Sequence, residues 1–315
     1  MTQQTFKHLF GPVPSRRLGR SLGIDLTPFK TCSFDCIFCQ LGRTTVKTCE
    51  RREGIAVQEV LTELAAWFDS GATADYITLA GSGEPTLNAG FGQVIDFVHN
   101  ASRIPVALLT NGSLFSDPEV RTQAAKANLV KVSLSVWDQA SLELVNRPAE
   151  GIVFEQMLAG QQAFREQFNG ELWVEVFLLP DLNTSPEQIT RIAALVKSLK
   201  PDKVQLNTAV RPPCEGYVQP VPEKILHDLA GHFTPKAEVI AEFSSDSSAQ
   251  IKATESDVLA TLERRPCTVN QLCAVFSLHR NEAAKYIGKL LRTGKISERR
   301  KDGEVYFEGL HANDR

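Results

Sequence analysis

Three thiols, Cys32, Cys36 and Cys39, stand in a CxxxCxxC pattern within the segment Thr31-Cys32-Ser33-Phe34-Asp35-Cys36-Ile37-Phe38-Cys39. Thiolates this close in sequence suit a metal. Three of them on a four-iron cluster would leave one iron without a protein ligand, as a catalytic zinc keeps an open position. Two other uses compete. A structural zinc would need a fourth ligand, for which Cys49 or His8 is available, although such sites usually draw on paired CxxC knuckles. A redox disulfide at a helix start needs only two thiols. The total of seven cysteines is odd and the first residues carry no leader pattern, so a disulfide framework is not expected. Cys49, Cys214, Cys267 and Cys273 are scattered.

A second constellation, Gly81-Ser82-Gly83-Glu84-Pro85-Thr86, follows the apolar run Tyr76–Ala80. Small residues let a backbone approach a ligand closely, and Glu84 offers a carboxylate to an ammonium group. Further polar residues follow later apolar runs: Thr110-Asn111-Gly112, then Ser133 and Ser135, then Asn183, then Asn207 with Arg211. Ser133 and Ser135 alternate with apolar neighbours, so both point to one face. Each of these groups serves equally well as a hydroxyl or amide satisfied inside the fold. Arg147, in Asn146-Arg147-Pro148, suits a carboxylate or phosphate ligand, or a surface ion pair. Cys214 reads more readily as a buried thiol than as a substrate contact. No residue is assigned a catalytic acid–base or nucleophilic role.

The elements that position these groups follow from periodicity. Apolar runs around Leu22–Leu26, Tyr76–Ala80, Val106–Leu109, Leu129–Leu134, Trp173–Leu179 and Val204–Leu206 predict six strands, each followed by room for a helix. Helices are expected from Val57 to Phe68, and near Gly90–Asn100, Pro118–Ala127, Phe154–Phe168 and Pro186–Leu199. Six βα units fall short of a closed eight-stranded barrel. The predicted class is therefore α/β, a partial (βα)6 TIM-like barrel over residues 1–244, with ligands at the carboxyl ends of its strands. A seventh strand is expected at Val239–Phe243. The polar stretch 245–253 reads as a linker.

Residues 254–310 read as helices at Glu255–Arg264, Val269–Phe276 and Arg280–Arg292, then a hairpin turned at Asp302-Gly303, the pattern of a winged helix-turn-helix. In the third helix Arg280, Asn281, Lys285, Lys289 and Arg292 form a polar face, while Ala283, Ala284, Ile287, Leu290 and Leu291 are expected to face inward. Arg299, Arg300 and Lys301 add charge to the wing. Residues 1–250 carry 22 Lys and Arg against 28 Asp and Glu, and residues 251–315 carry 12 against 9. The basic tail permits nucleic-acid contact, and protein docking equally. With 43% hydrophobic and 23% charged residues and no uncharged apolar run approaching the roughly 20 residues of a membrane span, a cytoplasmic globular protein without membrane contact is expected.

CxxxCxxC, GSGEPTL, TNGSL, KVSLS and NRP in this order resemble the radical S-adenosylmethionine (SAM) superfamily, near the iron-sulfur oxidoreductases grouped with the wyosine-forming tRNA enzymes. Gly11-Pro12-Val13-Pro14-Ser15-Arg16-Arg17 and Leu206-Asn207-Thr208 with Arg211-Pro212 fit that group. The resemblance implies that Cys32, Cys36 and Cys39 hold a 4Fe-4S cluster whose open iron is chelated by SAM. One electron then breaks a sulfur–carbon bond to give a deoxyadenosyl radical. It further implies that Phe38 packs near the adenine, that Gly81, Gly83 and Glu84 meet the methionine end, and that Asn111, Ser133 and Ser135 meet the cofactor's polar groups. Where related sequences often carry an acidic residue after the fourth-strand serine, this chain has Val136 and Trp137, so contacts there do not carry over. With no second cluster motif, an external donor such as a ferredoxin or flavodoxin is expected. Three functions follow: a radical enzyme of unknown substrate, a wyosine-like tRNA-modifying enzyme, or an iron-sulfur transcriptional sensor using the winged helix.

Overall fold

In the computed structural model, which describes residues 6–15, 17–240, 254–276, 278, 280–301 and 303–310, the chain begins with β1 (Leu9–Ser15). It turns back antiparallel into β2 (Gly19–Ile24). Proline cannot donate to a ladder and is confined to edges, so the Pro12-containing β1 reads poorly as a strand and was not expected. The short parallel pair β3 (Thr31–Cys32) and β4 (Val46–Lys47) brackets the thiol loop.

Then come α1 (Val57–Asp69), β5 (Tyr76–Leu79), α2 (Phe91–Ala101), β6 (Val106–Leu109), α3 (Pro118–Ala124) and β7 (Leu129–Ser133). After α4 (Gln139–Val145) and α5 (Phe154–Gln167) follow β8 (Glu171–Phe177), α6 (Pro186–Ser198), β9 (Lys203–Asn207), α7 (Glu223–Ala230) and β10 (Glu238–Val239). The sheet order is β1-β2-β5-β6-β7-β8-β9-β10, and all pairings after β1·β2 are parallel. Strands β2, β5, β6, β7, β8 and β9 are the six expected, and the sheet is a partial barrel. The described part of the seventh strand pairs with β9; its remainder and the linker 245–253 lie outside the described residues.

The strands carry two different faces. Leu22, Ile24, Ile77, Leu79, Leu108, Val130, Val132, Val174, Val176 and Val204 are buried in the main core under the helices, each worth about 1.5–3 kcal/mol when fully covered. The helix α1 meets them with Val57, Val60, Leu64 and Trp67. The alternate positions Ser21, Thr78, Lys131, Glu175 and Asn207 line internal cavities instead. The seven-residue α4, not expected from periodicity, is set by a capping box between Asp138 and Ser141.

At the C-terminal end, α8 (Glu255–Arg264), α9 (Val269–Phe276) and α10 (Arg280–Arg292) pack with the hairpin β11 (Ile296–Lys301) and β12 (Glu304–Gly309) around their own core of Val258, Leu262, Leu272, Phe276, Ile287 and Phe307. Ala284 is exposed rather than inward, one step off the buried Ala283 and Ile287. This unit bridges the two ends of the sheet. On one side Arg264 gives Nε and Nη2 to Oδ2 of Asp25 at 2.9 and 2.5 Å, and its guanidinium lies 4.0 Å above the Phe10 ring. On the other, Lys301 Nζ donates to Ala209 O at 2.9 Å and Tyr306 Oη to Val210 O at 3.0 Å. Breaking a largely buried ion pair from one side strands the other charge. Arg264→Ala is expected to lower the free energy of unfolding by about 3 kcal/mol in chemical denaturation, whereas a change near zero would make the pair a surface contact.

Candidate functional site

The thiol loop leaves β2 at the carboxyl edge of the sheet and is held from three sides. Lys30 N donates to Ser82 O at 2.7 Å and Glu84 N to Thr31 O at 3.1 Å, tying its start to the turn after β5. Ile37 N donates to Val145 O and Asp35 N to Asn146 O, tying its middle to the end of α4. Asp35 also pairs with Arg43 at 3.0 Å, and Glu215 takes Arg43 at 2.8 Å and Arg147 at 2.6 Å. Arg147 thus braces the loop from behind rather than reaching for a ligand. Cys214 sits beside this network, its thiol pushed up to about 11 by burial and by the Asp35 and Glu215 carboxylates.

The glycines of the turn have a partner that sequence reasoning did not foresee. A Cβ on Gly81 would stand 1.7 Å from Asp25 Oδ1, and one on Gly83 would stand 1.9 Å from Thr31 O. Both make room for the chain itself. Gly81 also has a φ of 137°, which side-chain-bearing residues rarely adopt.

Glu84 is 2% exposed. Its Oε1 accepts from Thr86 N, Thr86 Oγ1 and Thr110 Oγ1 at 3.1, 2.6 and 2.6 Å, while Oε2 accepts from Asn111 N at 2.8 Å. Burial lifts its carboxyl above the usual range in spite of these donors. Oε2, with one donor, is the atom with capacity to spare.

Each sulfur is desolvated, and burial raises all three thiols, Cys32 to about 12. Desolvated thiols that also oppose one another's ionisation ask for positive charge, which iron supplies. Hydrogen bonds are already aimed at them: Phe34 N to Cys32 Sγ at 3.4 Å, Asn146 Nδ2 to Cys36 Sγ at 3.2 Å, and Asn111 Nδ2 toward Cys32 Sγ at 3.7 Å. Among the described residues no three His, Cys, Asp or Glu side chains close round a single ion. Three sulfur donors on one short loop, with N–H groups aimed at Cys32 and Cys36, are the donor chemistry that an iron-sulfur cluster takes.

Beside Cys39 opens a cavity of about 300 Å³, lined by Phe38, Gln40, Lys131, Glu175, Asn207 and Arg211 among others. Phe38 forms one wall, stacked on Phe177 with centroids 4.0 Å apart. Ser133 is half-exposed at the end of β7. Ser135 is buried and accepts Phe177 N at 2.7 Å, and Asn183 spends its amide on Leu179, Ser135 and Phe177.

The floor of the cavity was missed from sequence. Burial alone would raise Glu175, but Arg17 and Lys131 (2.5 Å), with Asn207 Nδ2 at 2.8 Å, hold it well below the carboxylate range. The signal was present in Lys131 and Glu175, charges set among apolar neighbours in their strands.

Gly83→Ala is expected to displace Thr31 and the start of the loop. The measurable result is loss of brown cluster absorbance on reconstitution with a fold retained by circular dichroism.

The family model of the radical SAM superfamily matches residues 26–193. The protein called GTPase Obg of Brachyspira hyodysenteriae is 36% identical over 305 residues, which are 96% of this chain and 45% of that protein. This chain thus spans less than half of that relative, and it contains no GxxxxGK[ST] phosphate loop. The UPF0026 protein of Methanocaldococcus jannaschii is 32% identical, covering 95% of this chain and 94% of its own length. Among solved structures, TYW1 with a lysine-pyruvate adduct bound aligns at a TM-score of 0.50 and 15% identity, over 69% of this chain and 74% of that one. Streptococcus suis SuiB bound to S-adenosylmethionine aligns at 0.51 and 14%, over 69% and 49%. At these identities the two structures speak for the fold alone.

Proposed function

Because this chain belongs to the radical SAM superfamily, whose members use a 4Fe-4S cluster and S-adenosylmethionine, we propose that it is an oxidoreductase or transferase that abstracts hydrogen from a small-molecule substrate. Cys32, Cys36 and Cys39 hold the cluster. When bound, cluster and cofactor supply a 5′-deoxyadenosyl radical through one-electron cleavage of SAM, the electron coming from an external ferredoxin- or flavodoxin-type donor.

The observation that carries the reading is the set of N–H donors aimed at desolvated thiols beside a polar cavity. Hydrogen bonds to the sulfurs stabilise their negative charge and help set the potential at which an electron is accepted. Asn111 links three parts of the site, taking the Cys32 sulfur and Ser33 Oγ (2.8 Å) with its amide and Glu84 Oε2 with its backbone. Glu84 holds that rim in place and offers Oε2 to the cofactor's ammonium. Gly81 and Gly83 admit the turn that carries Glu84. Phe38, backed by Phe177, gives a flat wall for the adenine, and Ser133 is the hydroxyl open to the ribose. Ser135 supports that edge through Phe177.

Residues 254–310 take the part of a winged helix-turn-helix serving as a docking unit. Two of the three wing cations, Arg299 and Lys301, donate to barrel carbonyls at Pro213 and Ala209, which speaks against a wing laid on nucleic acid. Among the described residues no helix is long and apolar enough to cross a membrane, and a cytoplasmic setting suits an oxygen-sensitive cluster.

The test is anaerobic reconstitution followed by reduction with SAM present. Cys36→Ala is expected to lose both the brown absorbance and 5′-deoxyadenosine formation, while Cys49→Ala, whose thiol donates to Glu150 O, keeps both. Cluster assembly without deoxyadenosine release would favour a sensor.

A further inference from the structure

A buried amide recovers its lost hydration by giving its N–H groups to good acceptors, usually oxygen. Asn88 does so with Leu26 O and Ile55 O, and Asn183 with Ser135 O and Phe177 O. Asn146 does not. It is 7% exposed, and its Nδ2 donates to Cys36 Sγ at 3.2 Å, the single hydrogen bond of that nitrogen among the described residues. A neutral thiol is a weak acceptor, so the bond returns little in that form. An anionic sulfur takes the same bond as a charge-assisted one.

The amide is aimed by backbone. Asn146 caps α4, and the chain around it is stitched to the thiol loop. Ile37 N donates to Val145 O at 3.0 Å, Asp35 N to Asn146 O at 2.9 Å and Ala149 N to Ser33 O at 2.8 Å. The next residue, Arg147, has a φ of 47°, the left-handed region that usually falls to glycine after a helix. Such a conformation is costly in a residue with a side chain and persists where its neighbours over-determine it. Arg147 is held there by its N–H to Leu142 O at 3.1 Å and by Glu215 at 2.6 Å. The turn is therefore fixed without help from the Asn146 side chain, which is left to address the sulfur.

We propose that Asn146 sets the potential at which the cluster accepts its electron, through a hydrogen bond that strengthens as negative charge on Cys36 grows. The proposal deepens the radical reading and rests on it for the presence of the cluster. One electron from the external donor adds one negative charge, shared between the cluster and its sulfurs, and no covalent bond to Asn146 forms or breaks. The amide thus favours the reduced form and raises the potential. The other donors are further from their sulfur: Phe34 N and Asn111 Nδ2 stand 3.4 and 3.7 Å from Cys32 Sγ, and Asn111 makes its shorter bond, 2.8 Å, to Ser33 Oγ. Acting through Cys36, Asn146 is a positioning residue.

The experiment is a redox titration of the reconstituted full-length protein without SAM, followed by visible absorbance and by electron paramagnetic resonance of the reduced cluster. Asn146→Leu keeps the volume, removes the donor and keeps water from taking its place. At the potential where the wild type is half reduced, its ratio of reduced to oxidised cluster is expected to be about tenfold lower, a midpoint about 59 mV more negative. Asn146→Ala, which lets water in as a poorer donor, is expected to shift the same way by less. Both variants are expected to match the wild type in iron content and circular dichroism, since the backbone contacts of the turn remain. Either loaded variant with a midpoint equal to or above that of the wild type overturns the proposal. So does failure of both variants to take up the iron that the wild type holds, which would make Asn146 a support of the loop. A wild type that takes up no cluster sinks the radical reading and this proposal together, whereas an unshifted midpoint in a loaded variant leaves the radical reading standing.

Discussion

The site depends on a close approach between two backbones. The turn after β5 lies so near the segment that starts the thiol loop that Gly83 has no room for a Cβ beside Thr31 O. The contact is productive because it comes with two hydrogen bonds, Lys30 N to Ser82 O and Glu84 N to Thr31 O. These place the thiol loop and Glu84 in one frame. Asn111, hydrogen-bonded to Glu84 Oε2 through its backbone, then brings its amide to Cys32. A chain of contacts therefore runs from the parallel sheet to the sulfur, first through two backbone hydrogen bonds and then through the Glu84 carboxylate and the Asn111 amide. Such a shell holds its ligands without further ordering cost at the moment of binding.

The inner face of the sheet explains why a cavity exists at all. A barrel filled by Val, Ile and Leu packs to crystal-like density. Here the lower inner layer is apolar, with Ala107, Leu129 and Trp173 closing the bottom. Above it come Thr78, Lys131 and Glu175, and then Phe177 and Asn207. Charged groups cannot be packed dry without partners, so this layer keeps space open above an apolar plug. The mutual pairing of Arg17, Lys131 and Glu175 makes the floor rigid while leaving it positive.

Much of this was legible from residue order, and what was not has identifiable causes. The six inner strands and five principal helices followed from periodicity, because each buries one long apolar face against the sheet. The edge strand β1 was hidden by Gly11, Pro12 and Pro14, which an edge tolerates and a central strand would not. α4 was missed although α3, equally short, was expected: α4 starts from the Asp138–Ser141 capping box and has no proline to mark its first turn. The thiols and Glu84 were legible because spacing and order along the chain reveal them. The roles of Gly81 and Gly83 were not, since a small residue announces a close approach without saying to what. Lys131 meets Glu175 from the neighbouring strand and Arg17 from the turn between β1 and β2, at sequence separations of 44 and 158 residues, and periodicity carries no such information. Of the two readings open for Arg147, an anion ligand or an ion pair, the structure shows an ion pair, and its partner Glu215, 68 residues away, could not be named from residue order.

The C-terminal unit gains meaning from one carboxylate. Asp25 accepts from Ser82 N at Oδ1, 2.8 Å away, and from Arg264 at Oδ2. Its first oxygen therefore steadies the turn that carries Glu84, and its second anchors α8. An arginine at that second oxygen neutralises a carboxylate that would otherwise stand bare against the glycine turn. The unit also meets the loop after β9 through Lys301 and Tyr306, which contact residues adjoining Arg211. Both ends of the α8-to-wing span thus touch segments that line the cavities. These contacts cover the space between the first and last described strands of an open sheet, which would otherwise face water.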